Sequence, residues 1–254
     1  MARANRCYKP GLIWHITHRC HKREFLLKFI KDKQAWCRWV LASKKLFGLC
    51  ILNYTITSNH VHLLILDIGQ DAEHTISRSF QLAAGRVAQE YNNRKNRSGA
   101  FWEDRYHATA IETGEHLINC LTYIDLNMVR AKVVNHPGDW SFGGYYELQQ
   151  LRKRFRNQLV DWRSLLSLLG MKSLESLRQA RAEWVAKECH TGRLERDAKW
   201  TESVAVGSRE YTEKIMGTFA RKVESNADAV GGATFPFRDG GGLKSVFSVA
   251  KTRI

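Results

Sequence analysis

The chain has 254 residues and a formal net charge of +15, from 40 Lys and Arg residues against 25 Asp and Glu residues. A hydrophobic content of 44% with 8 Trp, 8 Tyr and 11 Phe residues predicts a globular core and excludes a wholly disordered protein. The length suits one catalytic core with an extension. The positive charge, spread over every third of the chain, favours a polyanionic partner: nucleic acid first, with an anionic membrane surface as the competitor.

Neither membrane insertion nor secretion is expected from the sequence. No apolar stretch approaches the roughly 18 residues that a spanning helix needs, and the basic start at residues 1–6 is not followed by a signal-type apolar segment. The six cysteines show no CxxC spacing, which argues against a structural zinc module and gives no sign of a disulfide framework. We expect a cytoplasmic protein, associated with the nucleoid if its partner is DNA.

The hydrophobic pattern predicts an α+β fold. In chain order it indicates a strand over 12–20, a helix over 25–46, paired strands over 49–57 and 60–66, a helix over 73–96, a strand over 106–112 and a helix over 115–129. Only two residues separate the paired strands, so they should form a hairpin. The order β, α, β, β, α, β, α predicts a ferredoxin-like antiparallel sheet with helices packed on it.

The sequence changes character after residue 135. A turn at His136-Pro137-Gly138 is followed by a charged stretch and by three predicted helices over 162–169, 174–189 and 208–223. We therefore divide the chain into a first domain over 1–135, a basic helical C-terminal extension over 136–224, and a glycine-containing flexible tail over 225–254. Clamping nucleic acid, covering the active site and simple packing are all compatible with the extension.

Two histidines stand one residue apart on the predicted hairpin. Side chains on a strand alternate between faces, so His60 and His62 should lie side by side on one wall of the sheet. Such a pair can bind a metal ion, or it can consist of core histidines bonded to backbone carbonyls. The sequence of the strand alone leaves both interpretations open.

The last helix of the first domain carries Tyr123 and Asn127 four residues apart, which makes them neighbours on its surface. An Asn oxygen can join two imidazoles around a divalent cation, and a phenol one turn away would face whatever that cation binds. The alternative is a surface tyrosine and an asparagine near a helix end.

These motifs resemble a known family. The segments SNHVHLL over 58–64 and TYIDLNMVRA over 122–131 are similar to those of single-tyrosine HUH transposases, in particular REP-associated tyrosine transposases. The resemblance includes RCHKREFLL over 19–27 and GAFWEDRYHATAIE over 99–112, and covers roughly residues 8 to 146. The chain departs from the family where Met128 and Lys132 stand in place of the usual proline and glycine, and where Cys20 replaces a frequent glycine.

The resemblance implies an HUH nuclease fold and a DNA strand transferase or endonuclease. Tyr123 would be the nucleophile, and His60, His62 and Asn127 would hold Mg²⁺ or Mn²⁺. The implied reaction cleaves and rejoins single-stranded DNA at hairpins of palindromic repeats through a 5′-phosphotyrosine, without a nucleotide cofactor. This is the chemistry of DNA transposition.

Basic and aromatic residues near these motifs are the candidates for DNA binding. They are Arg3, Arg6, Arg19, Lys22, Arg23, Arg105, Tyr106 and Arg130. Two other functions stay open: a non-cutting hairpin-DNA-binding protein derived from such an enzyme, and a histidine–metal hydrolase that uses activated water and leaves no covalent intermediate. The target sequence and the oligomeric state are not predicted.

Overall fold

A computed structural model describes residues 10–69, 72–150, 158–192 and 195–230. Its strands are β1 (Ile13–Arg19), β2 (Cys50–Ile56), β3 (His60–Leu66), β4 (His107–Ile111) and β5 (Ala205–Val206). Its helices are α1 (Ile30–Phe47), α2 (Ala72–Lys95), α3 (Glu115–Asp125), α4 (Asn127–Arg130), α5 (Gly144–Gln149), α6 (Trp162–Leu169), α7 (Leu174–Thr191), α8 (Lys199–Glu202) and α9 (Arg209–Val230). Short 3₁₀ helices occupy His21–Arg23 and Pro137–Asp139.

The strands form one sheet in the order β2-β3-β1-β4-β5. The first four are antiparallel to their neighbours, and the short β5 is parallel to β4. The predicted α+β class and the ferredoxin-like antiparallel sheet are thus confirmed. β5 is an addition that the sequence analysis lacked, because two residues are too few to give an alternating pattern.

The central strand β1 directs its side chains to two different layers. On one face, His18 shares a small cavity with Trp36 of α1 and Phe80 of α2. On the other face, His15 contacts His62 of β3, and the rings of both lie near Tyr123 of α3. The sheet therefore separates a helical layer built by α1 and α2 from the layer that contains the candidate site.

Local capping explains where the helices begin and end. The Asp32 carboxylate accepts a hydrogen bond from the Phe29 N–H at 3.3 Å, so α1 begins at Ile30 rather than at the predicted residue 25. It ends at Gly48, whose φ of 71° lies in the left-handed region that glycine tolerates. The predicted helix over 115–129 is divided at Leu126, where ψ rises to 2°.

The C-terminal extension packs into the same hydrophobic core as the first domain. Leu165, Leu177 and Trp200 belong to one cluster of buried residues with Ile16 and Leu63. The boundary at residue 135 therefore does not separate two cores. Helices α6, α7 and α9 match the predicted helical segments, although α9 continues to Val230, beyond the predicted start of the tail at 225. Residues 231–254 lie outside the described part of the chain.

None of the described helices combines the length and the apolar content that a membrane span requires.

Candidate active site

A cavity of about 550 Å³ brings the four central candidates together: His60, His62, Tyr123 and Asn127 all line it. β3 supplies the histidines, α3 the tyrosine, and the first position of α4 the asparagine. The cavity is also lined by arginines from four parts of the chain, namely Arg19, Arg23, Arg105, Arg130 and Arg196. Such a basic cleft favours a polyanionic ligand.

The neighbours of His60 determine which ring nitrogen of its neutral imidazole carries the hydrogen. Its Nδ1 lies 2.7 Å from the Asn59 Oδ1 and 3.0 Å from the Thr57 Oγ1. The Asn59 amide nitrogen donates to the Arg23 carbonyl at 3.1 Å, which leaves its oxygen facing the imidazole. Because that oxygen only accepts, the hydrogen of His60 is on Nδ1 and the lone pair is on Nε2.

His62 sits deeper and contacts two polar groups. Its Nδ1 lies 2.9 Å from the Nε2 of His15, and its Nε2 lies 3.1 Å from the Asn127 amide nitrogen. His15 in turn reaches the main-chain carbonyl of Trp200 with its Nδ1, at 2.8 Å. A chain of contacts thus connects α8 in the extension with the Asn127 side of the cavity.

Burial keeps these imidazoles neutral at physiological pH. Loss of hydration lowers the pKa of His60 to about 4, with a further contribution from the positive charge of Arg19. The same cause lowers the pKa of His15 to about 3 and that of His62 well below its usual range. Neutral imidazoles keep the lone pair that a metal ion requires.

The donor set fits a divalent cation. Two neutral imidazoles and one amide side chain line the same cavity, and imidazole ligands suit Mn²⁺ better than Mg²⁺. The Asn127 amide could present its oxygen there by turning about its last bond. In the described part of the chain no cluster of three or more His, Cys, Asp or Glu residues could hold a metal.

Tyr123 lies beside the histidines and beneath an arginine. The Tyr123 ring centroid is 6.2 Å from the His62 ring centroid. The guanidinium carbon of Arg130 lies 4.0 Å from the Tyr123 ring centroid. Arg130 also donates to the Tyr123 main-chain carbonyl at 2.6 Å, which fixes the position of the guanidinium group. Burial raises the pKa of the Tyr123 phenol, and the charges of Arg130 and Arg196 oppose that rise.

A buried polar network fixes the helix that carries Tyr123. Asp125, near the end of α3, pairs with Arg181 of α7, and their side chains are 2% and 1% exposed. The Asn53 amide of β2 donates to the same carboxylate at 2.8 Å. One face of α3 is therefore tied both to the sheet and to the extension.

The predicted DNA-binding residues fall into three groups. Arg19, Arg23, Arg105 and Arg130 line the cavity. Lys22 is exposed in the 3₁₀ turn beside it, and Tyr106 is 8% exposed and packs on Phe80 with ring centroids 4.5 Å apart. The structure therefore does not bring the Tyr106 ring into the cavity. Arg3 and Arg6 lie outside the described residues.

Sequence reasoning missed four residues that shape this site: His15, Asn59, Arg196 and Trp200. The sequence does contain a signal for His15. Alternation along β1 places His15 on the same face as Thr17, and Thr17 is the register partner of His62 on β3. Asn59 directly precedes His60 in the segment SNHVHLL over 58–64. No local pattern indicates Arg196 or Trp200, because the fold alone brings the extension to this face.

Comparison with known proteins finds one family model that is similar to part of the chain. Residues 9–127 match the family model described as "Transposase IS200 like". The segment contains β1 to β4 and ends at Asn127, so it includes all four central candidates. No curated protein matches the chain at a significant level.

Solved structures that are similar to the chain include the following two. A REP-associated tyrosine transposase bound to a REP hairpin shares 19% identity with a TM-score of 0.47, covering 63% of this chain and 93% of that one. A protein from Deinococcus radiodurans, provisionally assigned as a transposase, shares 15% identity with a TM-score of 0.34, covering 52% and 97%.

The matched segment, residues 9–127, makes up just under half of the chain and is similar to the IS200-like transposase family. The transposase resemblance predicted from the sequence is confirmed at this level.

Proposed function

We propose that this chain is a metal-dependent transposase that cleaves and rejoins single-stranded DNA through a 5′-phosphotyrosine at Tyr123. One observation carries the proposal: a tyrosine, two neutral histidines and an asparagine line one arginine-rich cavity. Resemblance to REP-associated tyrosine transposases supports a hairpin of a palindromic repeat as the target. The proposed place of action is the nucleoid.

The arginines would position the DNA. Phosphate oxygens accept hydrogen bonds from guanidinium groups, so the arginines of the cavity can hold the strand against α3 without reading its bases. Arg19 and Glu103 form an ion pair at 3.7 Å with both side chains more than 40% exposed. Such an exposed pair is weak and leaves Arg19 available to a phosphate.

His60, His62 and Asn127 would hold Mg²⁺ or Mn²⁺, which when bound polarises a non-bridging oxygen of the scissile phosphate. The Tyr123 phenol gives its proton to solvent, and its oxygen bonds to phosphorus while the bond from phosphorus to the 3′ oxygen breaks. The departing oxygen takes up a proton and becomes a 3′-hydroxyl. Arg130 stabilises the phenolate, because its charge lies over the ring.

The link formed in this way is a phosphodiester to tyrosine. A 3′-hydroxyl from another strand can attack it and restore the phenol, so that rejoining needs no nucleotide cofactor. This accounts for strand transfer with residues of a single cavity.

Strand cleavage tests the proposal. Single-stranded oligonucleotides that carry a hairpin and a random flank are end-labelled and incubated with the chain, with and without Mn²⁺ or Mg²⁺. We expect cutting that needs the metal and is lost in His62→Ala. The matched control is His190→Ala, because His190 is an exposed histidine on α7 away from the cavity.

Two results would contradict the proposal. Cutting at the parental rate by His62→Ala would remove the histidine site from the reaction. Tight binding of hairpins without cutting under any metal would favour the non-cutting DNA-binding protein, which the buried tyrosine and its raised pKa also suit.

A further inference from the structure

His15 occupies a junction between the extension and the candidate metal site. The residue lies on β1 and is 0% exposed. Its Nδ1 is 2.8 Å from the Trp200 carbonyl oxygen and its Nε2 is 2.9 Å from the His62 Nδ1. The two imidazole planes differ by only 16°, with centroids 5.1 Å apart, which agrees with rings joined edge to edge.

The partners of His15 determine which nitrogens carry hydrogen. A main-chain carbonyl only accepts, so the hydrogen of a neutral His15 is on Nδ1. Its Nε2 then accepts, and the Nδ1 of His62 must be the donor. The other nitrogen of His62, Nε2, consequently carries the lone pair. The His62 Nε2 lies 3.1 Å from the Asn127 amide nitrogen, which is a donor. The Trp200 carbonyl at one end and the Asn127 amide at the other therefore both require the hydrogen of His62 on Nδ1.

We propose that His15 is a positioning residue that holds His62 with its Nε2 lone pair toward the cavity and links this orientation to Trp200. The inference rests on the proposed function in one respect, the metal that His62 would bind. Metal-ligating histidines typically donate their other N–H to a fixed acceptor, and loss of that acceptor typically costs about 10- to 100-fold in metal affinity.

The group that accepts the hydrogen bond from His62 is His15, and His15 is itself held by the C-terminal extension. His15 is held by a carbonyl of α8, a helix that belongs to the extension rather than to residues 9–127. The extension would thereby complete the surroundings of the site instead of only covering it. A purely structural His15 would fill space between the sheet and Trp200, and a phenylalanine could do the same.

The first test reads the hydrogen position directly in the metal-free full chain. Imidazole ¹⁵N NMR of histidine-labelled protein should show His62 with its hydrogen on Nδ1, and His15→Phe should shift it toward the Nε2–H form. Ser43→Ala is the matched control, because Ser43 is a buried residue of α1 that donates to the Trp39 carbonyl at 2.9 Å in the layer on the other face of the sheet. An unchanged His62 tautomer in a folded His15→Phe protein would overturn the proposal.

The second test measures metal affinity, using Mn²⁺ alone as the probe and EPR of free Mn²⁺ as the readout. His15→Phe should weaken binding about 10- to 100-fold. Ser43→Ala should leave the Mn²⁺ affinity unchanged, and His15→Gln, whose amide oxygen can accept from His62, should recover part of it. Equal affinity in His15→Phe and the parent would overturn the role toward the metal.

The two tests separate this inference from the proposed function. A parent chain that binds no Mn²⁺ through His60 and His62 would contradict the proposed metal dependence. The NMR experiment would still decide whether His15 orients His62, since it needs no metal.

Discussion

Arg181 of α7 and Asp125 of α3 form an ion pair inside the protein: the arginine Nη2 lies 2.5 Å from the Asp125 Oδ1 and 2.6 Å from its Oδ2. The arginine Nε completes the contact at 3.2 Å. Asp125 is two positions after Tyr123 and two before Asn127. The extension therefore holds the end of α3 between Tyr123, the candidate nucleophile, and Asn127, the candidate metal ligand at the start of α4.

Loss of Arg181 should destabilise the whole fold. Arg181→Met leaves the Asp125 carboxylate buried without its cation, which typically costs about 3 to 5 kcal/mol. The free energy of unfolding from urea titration measures the effect. Asp125→Leu combined with Arg181→Met should recover much of the loss, because no buried charge then remains unpaired.

Arg209→Met is the control for that measurement. Arg209 pairs with Glu213 at 2.8 Å on the exposed surface of α9, and its loss should leave the urea midpoint unchanged. An Arg181→Met protein as stable as the parent would show that the buried pair does not fix α3.

Arg130 should control the ionisation of Tyr123. Its guanidinium opposes the rise that burial causes in the pKa of the phenol, so Arg130→Gln should raise that pKa further. We expect cleavage to slow by about 100-fold, the size seen when one electrostatic group at a reacting centre is removed. The rate should also begin to rise at a higher pH than in the parent.

Arg105→Gln separates this effect from DNA binding. Arg105 lines the same cavity, and the described contacts of Tyr123 do not include it. The variant should raise KM while keeping the pH profile. An unchanged profile in Arg130→Gln would contradict the assigned role.

Acid should destabilise the chain through its buried histidines. The pKa of His60 falls from 6.5 to about 4 in the folded state, so between these values the unfolded chain binds more protons than the folded one. His15, with a pKa of about 3, acts in the same direction over a wider range. Stability should be complete above pH 6.5 and decline as the pH falls toward 4.

Denaturant titrations at pH 7 and pH 4.5 measure that decline. Each pH unit over which one such ring is protonated only in the unfolded state costs about 1.4 kcal/mol. The carboxyl pKa values of Asp67 and Glu147 are raised by burial and act in the opposite direction, so the comparison uses His15→Phe. That variant should lose less stability on acidification; an equal loss would contradict the assignment.

Arg196 should bind DNA although it comes from the extension. It lines the cavity, and its side chain is 59% exposed in a pair with Glu202. Each phosphate contact with single-stranded DNA contributes about 0.7 to the slope of log K against log salt. Arg196→Gln should reduce the slope by about that amount.

Fluorescence anisotropy with a labelled hairpin oligonucleotide over a salt series gives this slope. Arg163→Gln on α6 is the control, since Arg163 is exposed and does not line the cavity. Equal slopes for Arg196→Gln and the parent would exclude a phosphate contact.

Much of the fold follows from local patterns. Short windows of sequence show the alternation in β1 to β4 and the helical spacing in α1 and α2. They also contain the glycines at which helices end, such as Gly48 and Gly170. These windows predicted the sheet and the helices α6, α7 and α9. The two-residue β5 is too short to show an alternating pattern, and the sequence around Leu126 contains no proline or glycine that would signal the break there.

The site was predictable where its residues share one element. His60 and His62 follow from strand alternation, and Tyr123 and Asn127 from helical spacing. That the two pairs meet in one cavity was implied by the family resemblance and not by spacing. Trp200 and Arg181 contact the site from distant sequence positions, and only the packing of the extension brings them there.

The central claim is a covalent bond between Tyr123 and a DNA 5′ phosphate. The chain is incubated with Mn²⁺ and the hairpin oligonucleotides, denatured and digested, and peptides that carry a nucleotide are identified by mass spectrometry, with Tyr123→Phe as the comparison. The account predicts an adduct on the peptide that contains Tyr123, dependent on metal and absent from the variant. Cutting by Tyr123→Phe at the parental rate, with no adduct in either protein, would contradict it and favour a hydrolase that uses activated water.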